Sequence, residues 1–253
     1  MNRINTPEEG ARRLLTLREE EHPEFSVKLR TEDDPYDRLV ISDCRIPLLY
    51  HRFDPRLKAI CDYASEDTDS LSALNVYSFV GRDMSLDELL VRELDIAAYI
   101  LHSEIESVTA YLNGASANVI ARMKSGTLAN LELGATMAEG AINQCQHRLI
   151  TSRGMASDRV VDTQTVSAML NLYTSSGEHI EIDPGDRDVF GLDYEDSFKV
   201  YCIRAAVLGF PEAQGMNDAE QRAAIALAAT HKSASLGRTV SILELTASVG
   251  GEK

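Results

Sequence analysis

His51 stands three residues before Asp54, a spacing that invites an imidazole–carboxylate pair able to move protons. A histidine at a strand end beside a helix cap is more often structural, and the sequence leaves both readings open. The other histidines, His22, His102, His147, His179 and His231, fall at no metal-ligand spacing with a second ligand, so no metal set is expected. Cys44, Cys61, Cys145 and Cys202 are far apart and form no C-x-x-C pair; they read as buried, reduced thiols. No G-x-S-x-G elbow appears. Neither G-x-G-x-x-G nor G-x-x-x-x-G-K-[ST] is present, and Gly134 and Gly140, which flank a helical-looking stretch, lack the following lysine. The residues therefore offer no cradle for nucleotide phosphates.

The elements that would carry any site are clearer. Val108, Ala110 and Leu112 alternate with Thr109 and Tyr111 before Asn113-Gly114, a dipeptide suited to a tight hairpin. Val119, Ala121 and Met123 alternate with Asn118, Ile120 and Arg122, and Leu131 and Leu133 with Asn130 and Glu132. Val166, Ala168, Leu170 and Leu172 alternate with Ser167, Met169, Asn171 and Tyr173. Side chains two apart share a face, so one face is apolar and the other mixes polar groups with Tyr111, Ile120, Leu128, Met169 and Tyr173. Shorter strands are expected over 25–29, 38–42, 45–51, 71–80 and 240–245. Helices are expected after Thr6-Pro7, after Asp54-Pro55, over 86–102, over 194–208, and from a capping box at Asn217 to Glu220. The fold class is α+β: an open-faced, mostly antiparallel β-sheet with helices on one face.

At 253 residues and 44% apolar composition the chain can bury a full core. Its net charge of −15 repels phosphate backbones and anionic lipid, so neither nucleic acid nor a membrane is an expected partner. No apolar run has the length of a membrane span, and a cytoplasmic location is expected.

Three stretches together resemble the glucose–fructose oxidoreductase/inositol dehydrogenase (Gfo/Idh/MocA-type) family. Tyr50-His51-Arg52-Phe53-Asp54-Pro55-Arg56-Leu57 is similar to that family's Y/N-x-R-F-x-P-x-[LW] junction. Arg92-Glu93-Leu94-Asp95-Ile96-Ala97, followed by Glu106-Ser107-Val108-Thr109-Ala110, resembles its H-D-I-D-L helix and V-x-A strand. Ala224 to Ser235 with Leu236-Gly237-Arg238-Thr239-Val240 resembles its closing A-x-x-S-x-x-x-G-[RK]-x-V segment.

The resemblance implies a C-terminal sheet domain over 45–253 preceded by a remnant, residues 1–44, of an N-terminal Rossmann domain. The dinucleotide fingerprint and E-K-P lysine of that domain are not found, so no cofactor is expected, with NAD(P) bound only if a separate Rossmann subunit supplies its site. The family's D-x-x-x-H pair falls on Glu88 and Arg92. An arginine stays protonated and cannot serve as the base, and Glu88 with Arg92 also has the spacing of an ordinary helical ion pair. With Arg52 they are the expected ligand-binding positions, and no catalytic set is expected. These departures from the family pattern imply a non-catalytic relative acting in ligand binding or assembly, and the resemblance implies a homodimer or larger through the open sheet face. The alternative is a subunit or partner of a complete NAD(P)-dependent sugar or polyol oxidoreductase.

Overall fold

The computed structural model describes residues 6–31, 34–66, 71–138, 143–159, 170–174, 176–182, 191–192 and 194–249. The helices are α1 (Pro7–Leu17), α2 (Pro55–Ser65), α3 (Leu86–Ile100), α4 (Tyr194–Leu208), α5 (Met216–Leu236) and α6 (Ile242–Val249). The strands are β1 (Ser26–Lys28), β2 (Arg38–Ile41), β3 (Cys44–Pro47), β4 (Leu71–Gly81), β5 (Ile105–Asn113) and β6 (Ser116–Met123). They continue with β7 (Leu128–Met137), β8 (Gln144–Thr151), β9 (Gly154–Ser157), β10 (Leu170–Thr174), β11 (His179–Ile182) and β12 (Val240–Ser241).

Two compact units emerge: residues 1–55 with 185–220, and residues 56–184 with 221–253. These limits differ from the single boundary at 44/45 read from sequence, because the chain returns to the first unit at 185–220.

In the first unit, Thr6 caps α1 by accepting the Glu9 N–H at 3.3 Å, and Pro7 opens the first turn. Gly10 lets α1 lie against α4, since a Cβ there would sit 2.7 Å from Val200 Cγ2. Strands β1, β2 and β3 form a small antiparallel sheet. The strand expected over 45–51 ends at Pro47, and His51 lies in a 3-10 turn, Tyr50–Phe53. Helix α5 begins at Met216, right after Gly215 at φ +77°, one residue before the expected capping box.

The second unit is built on a nine-stranded sheet in the order β11-β10-β9-β8-β4-β7-β6-β5-β12. Every pairing is antiparallel except β4 with β7. The hairpins read from sequence are present: Gly114 turns β5 into β6 at φ +60°, and Gly126 turns β6 into β7 at φ +90°. The simple meander is not, because β4 is inserted between β7 and β8. Leu74, Val76, Val119, Ala121, Leu131, Leu133 and Leu149 form the apolar face and are buried in one core with Leu90, Leu94 and Ala97 of α3 and Ala226 and Ala229 of α5. Burying such a face is the main favourable term in forming the unit.

Several expectations are corrected. Strands β8 and β9 were not anticipated, since Gln144–Thr151 carries polar groups on both faces and shows no apolar alternation. Gly134 to Met137 is strand rather than helical, and Gly140 lies outside the described residues. The closing strand stops at Ser241, whose Oγ accepts the Leu243 N–H at 3.3 Å, and α6 follows. Val166 to Met169 lie outside the described residues. None of the four cysteines is in a disulfide, but Cys44 is exposed rather than buried.

Candidate functional site

The expected site residues are distributed over both units. Arg52 lies in the 3-10 turn of the first unit, near enough to Cys202 to oppose the effect of burial, which pushes that thiol well up. His51 and Asp54 meet through their backbones, the Asp54 N–H donating to the His51 carbonyl at 3.1 Å; this closes the turn. The His51 ring sits 6.5 Å from that of Tyr36.

Glu88 and Arg92 lie one turn apart on α3 in the second unit. Glu88 completes a capping box: Ser85 Oγ accepts its N–H at 3.2 Å, and Glu88 Oε2 accepts the Ser85 N–H at 2.7 Å. Arg92 turns inward. Its Nε and Nη2 both donate to Glu93 Oε1, at 3.1 and 2.7 Å, and Nη2 also donates to Ser78 Oγ at 3.1 Å. Glu93 is fully buried, and its Oε2 lies 2.9 Å from His147 Nε2. On the other side, His147 Nδ1 lies 2.6 Å from Asp158 Oδ2, while the His147 N–H donates to Asp158 Oδ1 at 2.7 Å.

This network fixes protonation. Both ring nitrogens of His147 face carboxylates, so both must donate and the ring is an imidazolium. Burial favours the neutral ring, but the charges of Asp158 and Glu93 outweigh it and hold the histidine well above its usual value. Burial likewise disfavours ionised Glu93, yet the charges and hydrogen bonds of Arg92 and His147 hold its carboxyl far below the ordinary range. An imidazolium with both N–H groups committed has no free nitrogen to take a proton, so the cluster is built to hold structure. Sequence carried one signal for it. Glu93 falls on the stripe Leu90, Leu94, Ala97 that faces the core, where a carboxylate demands buried partners. His147 gave none, because β8 itself was not legible.

A second feature was not anticipated: a cleft of about 300 Å³ on the open face of the sheet, across β8, β4, β7 and β6. Its residues form two rungs of the sheet. One runs Gln146–Tyr77–Glu132–Asn118, continuing to Tyr111; the other runs Arg148–Asn75–Asn130, continuing to Ile120. Asn130 Nδ2 donates to Asn75 Oδ1 at 3.0 Å. Gln146 Nε2 donates to Ser157 Oγ at 3.3 Å and to the Arg159 carbonyl at 3.2 Å. The Tyr77 ring is propped by Phe79 at 4.6 Å. Arg148 Nε is buried and finds no acceptor among the described residues. Beside the cleft, Tyr111, Ile120 and Leu128 are exposed at 69%, 42% and 40%. Among the described residues no group of histidine, cysteine and carboxylate side chains is arranged to hold a metal ion, and no helix is long and apolar enough to cross a membrane.

No family profile matches the sequence, and no characterised protein sequence is significantly similar to it. Solved structures do match. An oxidoreductase from Agrobacterium radiobacter in complex with NAD+, L-tartaric acid and magnesium superposes with a TM-score of 0.62 at 14% identity, covering 78% of this chain and 64% of that one. The fold is that of the Gfo/Idh/MocA-type oxidoreductases. An oxidoreductase domain protein from Kribbella flavida has a TM-score of 0.61 at 16% identity, covering 77% of this chain and 64% of that one. Levoglucosan dehydrogenase in complex with NADH gives 0.60 at 13% identity, with coverages of 77% and 64%. The shared Gfo/Idh/MocA-type fold thus spans 64% of the length of each of these three structures.

Proposed function

We propose that this chain is a non-catalytic relative of the Gfo/Idh/MocA-type oxidoreductases, and that its sheet unit binds a small polar ligand on its open face. A contrast between two arginines carries the reading. Arg92, at the position where the resemblance expects the acid–base histidine, is tied to Glu93 and Ser78. Arg148, in the open-face cleft, has a buried Nε with no acceptor among the described residues. The first arginine holds structure and the second is available to a ligand.

A titration followed by backbone amide NMR tests this, using amino acids, hydroxy acids and sugars as separate probes. Shifts centred on β4, β7 and β8 are expected. Shifts centred on the first turns of α3, around Glu88 and Arg92, would move binding to the position implied by the resemblance and overturn the reading.

A second role, assembly, is favoured by the exposed Tyr111, Ile120 and Leu128. Large apolar side chains neighbouring one another on a sheet face mark an interface. We assign this patch, beside the cleft over β5, β6 and β7, to a second copy of the chain. A complete NAD(P)-dependent oxidoreductase chain is the competing occupant.

A further inference from the structure

The open-face cleft carries one cation and one anion, and neither has an ion-pair partner among the described residues. Arg148 Nε is buried without an acceptor among the described residues. A buried charged donor left unpaired is costly, and a carboxylate is the acceptor whose planar geometry answers a guanidinium best. Glu132 lines the same cleft and has no ion-pair partner among the described residues. The two form no ion pair with each other. They sit on strands separated by β4 and on different rungs, Arg148 opposite Asn75 and Glu132 opposite Tyr77. Two strand spacings sideways and two residues along put their Cα atoms roughly 12 Å apart. Between them lies the Asn75–Asn130 pair, whose carboxamides both donate and accept.

Resting on the ligand-binding reading above, we propose that the cleft takes a linear zwitterion: an amino acid whose carboxylate is held by Arg148 and whose ammonium, at the far end of a spacer of several carbons, is held by Glu132. The overall charge of −15 works in the same direction. It draws an ammonium in and opposes a simple anion, so the carboxylate enters only with its counter-charge attached.

Calorimetry on the full chain tests the assignment with 6-aminohexanoate as probe, and hexanoate and hexylamine as its two half-ligands. The zwitterion is expected to bind, with each half-ligand at least about tenfold weaker. Arg148→Gln and Glu132→Gln are each expected to weaken the zwitterion by a similar factor, and Glu132→Gln, at an exposed position, to leave the melting temperature unchanged. Arg148→Lys, which keeps the charge but loses the planar fork, should fall between wild type and Arg148→Gln. If hexanoate binds as tightly as the zwitterion, or Glu132→Gln has no effect while Arg148→Gln does, the zwitterion assignment fails and ligand binding in the cleft survives. If none of the three probes binds at millimolar concentration while a hydroxy acid or a sugar still shifts β4, β7 and β8, the zwitterion assignment alone fails; if no probe of any class binds, or binding ignores Arg148, both readings fail.

Discussion

Arg92 and Glu93 are neighbours in sequence and also ion-pair partners, with Arg92 Nε and Nη2 sharing Glu93 Oε1 so that Oε2 is left for His147. The arginine is a quarter exposed and the glutamate not at all, so the pair carries positive charge from the surface of α3 to a fully buried carboxylate. Removing that carboxylate takes from Arg92 and His147 the buried acceptor they share, leaving Ser78 Oγ to the first and Asp158 to the second. Glu93→Gln is therefore expected to lower stability by about 3–5 kcal/mol in urea unfolding, the range for breaking a buried ion pair from one side. A loss below ~1 kcal/mol would show that the network contributes little. The double change Glu93→Leu with His147→Leu should cost less than the sum of the single changes, because each single change already loses the Glu93–His147 bond that the sum counts twice.

The same cluster sets a pH profile. Glu93 is held below its ordinary 4.5, so its contribution is present above that value and fades as pH falls below it. His147 is held above its ordinary 6.5, so its contribution is present below that value and fades as pH rises past it. Unfolding free energy should be greatest between the two values and fall on either side. In His147→Gln the fall that begins at 6.5 should disappear, leaving only losses that begin above the 9.0 of an ordinary thiol. Stability that rises through the alkaline range in the unmodified chain would contradict the imidazolium assignment.

Gly154 opens β9 at φ +149°, and a Cβ there would lie 1.9 Å from the Tyr173 carbonyl oxygen of β10. That oxygen belongs to the backbone of a paired strand and has nowhere to go. Gly154→Ala is expected to disrupt β8–β9–β10 and cost more than about 3 kcal/mol, read from the shift in the urea midpoint. An alanine variant as stable as the parent would show that β9 and β10 do not pair as described.

How much of this was legible follows from what each element buries. The β5–β6–β7 hairpins were readable because Val119, Ala121 and Met123 alternate with polar residues and Gly114 and Gly126 mark the turns. Helix α3 was readable from Leu90, Leu94 and Ala97. Strand β8 was not, since His147 on its covered face is paid for by Glu93 and Asp158, which lie 54 and 11 residues away in sequence. The insertion of β4 beside β7 was hidden for the same reason: a parallel neighbour is chosen by tertiary packing, and no local pattern encodes it. The cleft depends on four strands meeting in register, so Arg148 could be singled out only once β8 was placed against β4.

The exposed patch of Tyr111 and Ile120 gives the assembly prediction. The unmodified chain is expected to sediment as a dimer or larger at tens of micromolar, with an interface above ~1,000 Å² in total. Tyr111→Asp with Ile120→Asp should shift it to monomer without loss of helix or sheet signal. A monomer in the unmodified chain refutes a second copy as the occupant of this patch.

The central claim is that Arg92 serves the fold while Arg148 serves a ligand. Measuring melting temperature and 6-aminohexanoate affinity side by side in Arg92→Lys and Arg148→Gln tests it most directly. Arg92→Lys should lower the melting temperature and leave affinity within about twofold, since lysine cannot reproduce the two bonds to Glu93. Arg148→Gln should lower affinity at least about tenfold without lowering the melting temperature, since the donor it removes is unpaired in the free chain. The reverse pattern, with affinity lost in Arg92→Lys and kept in Arg148→Gln, would contradict the account.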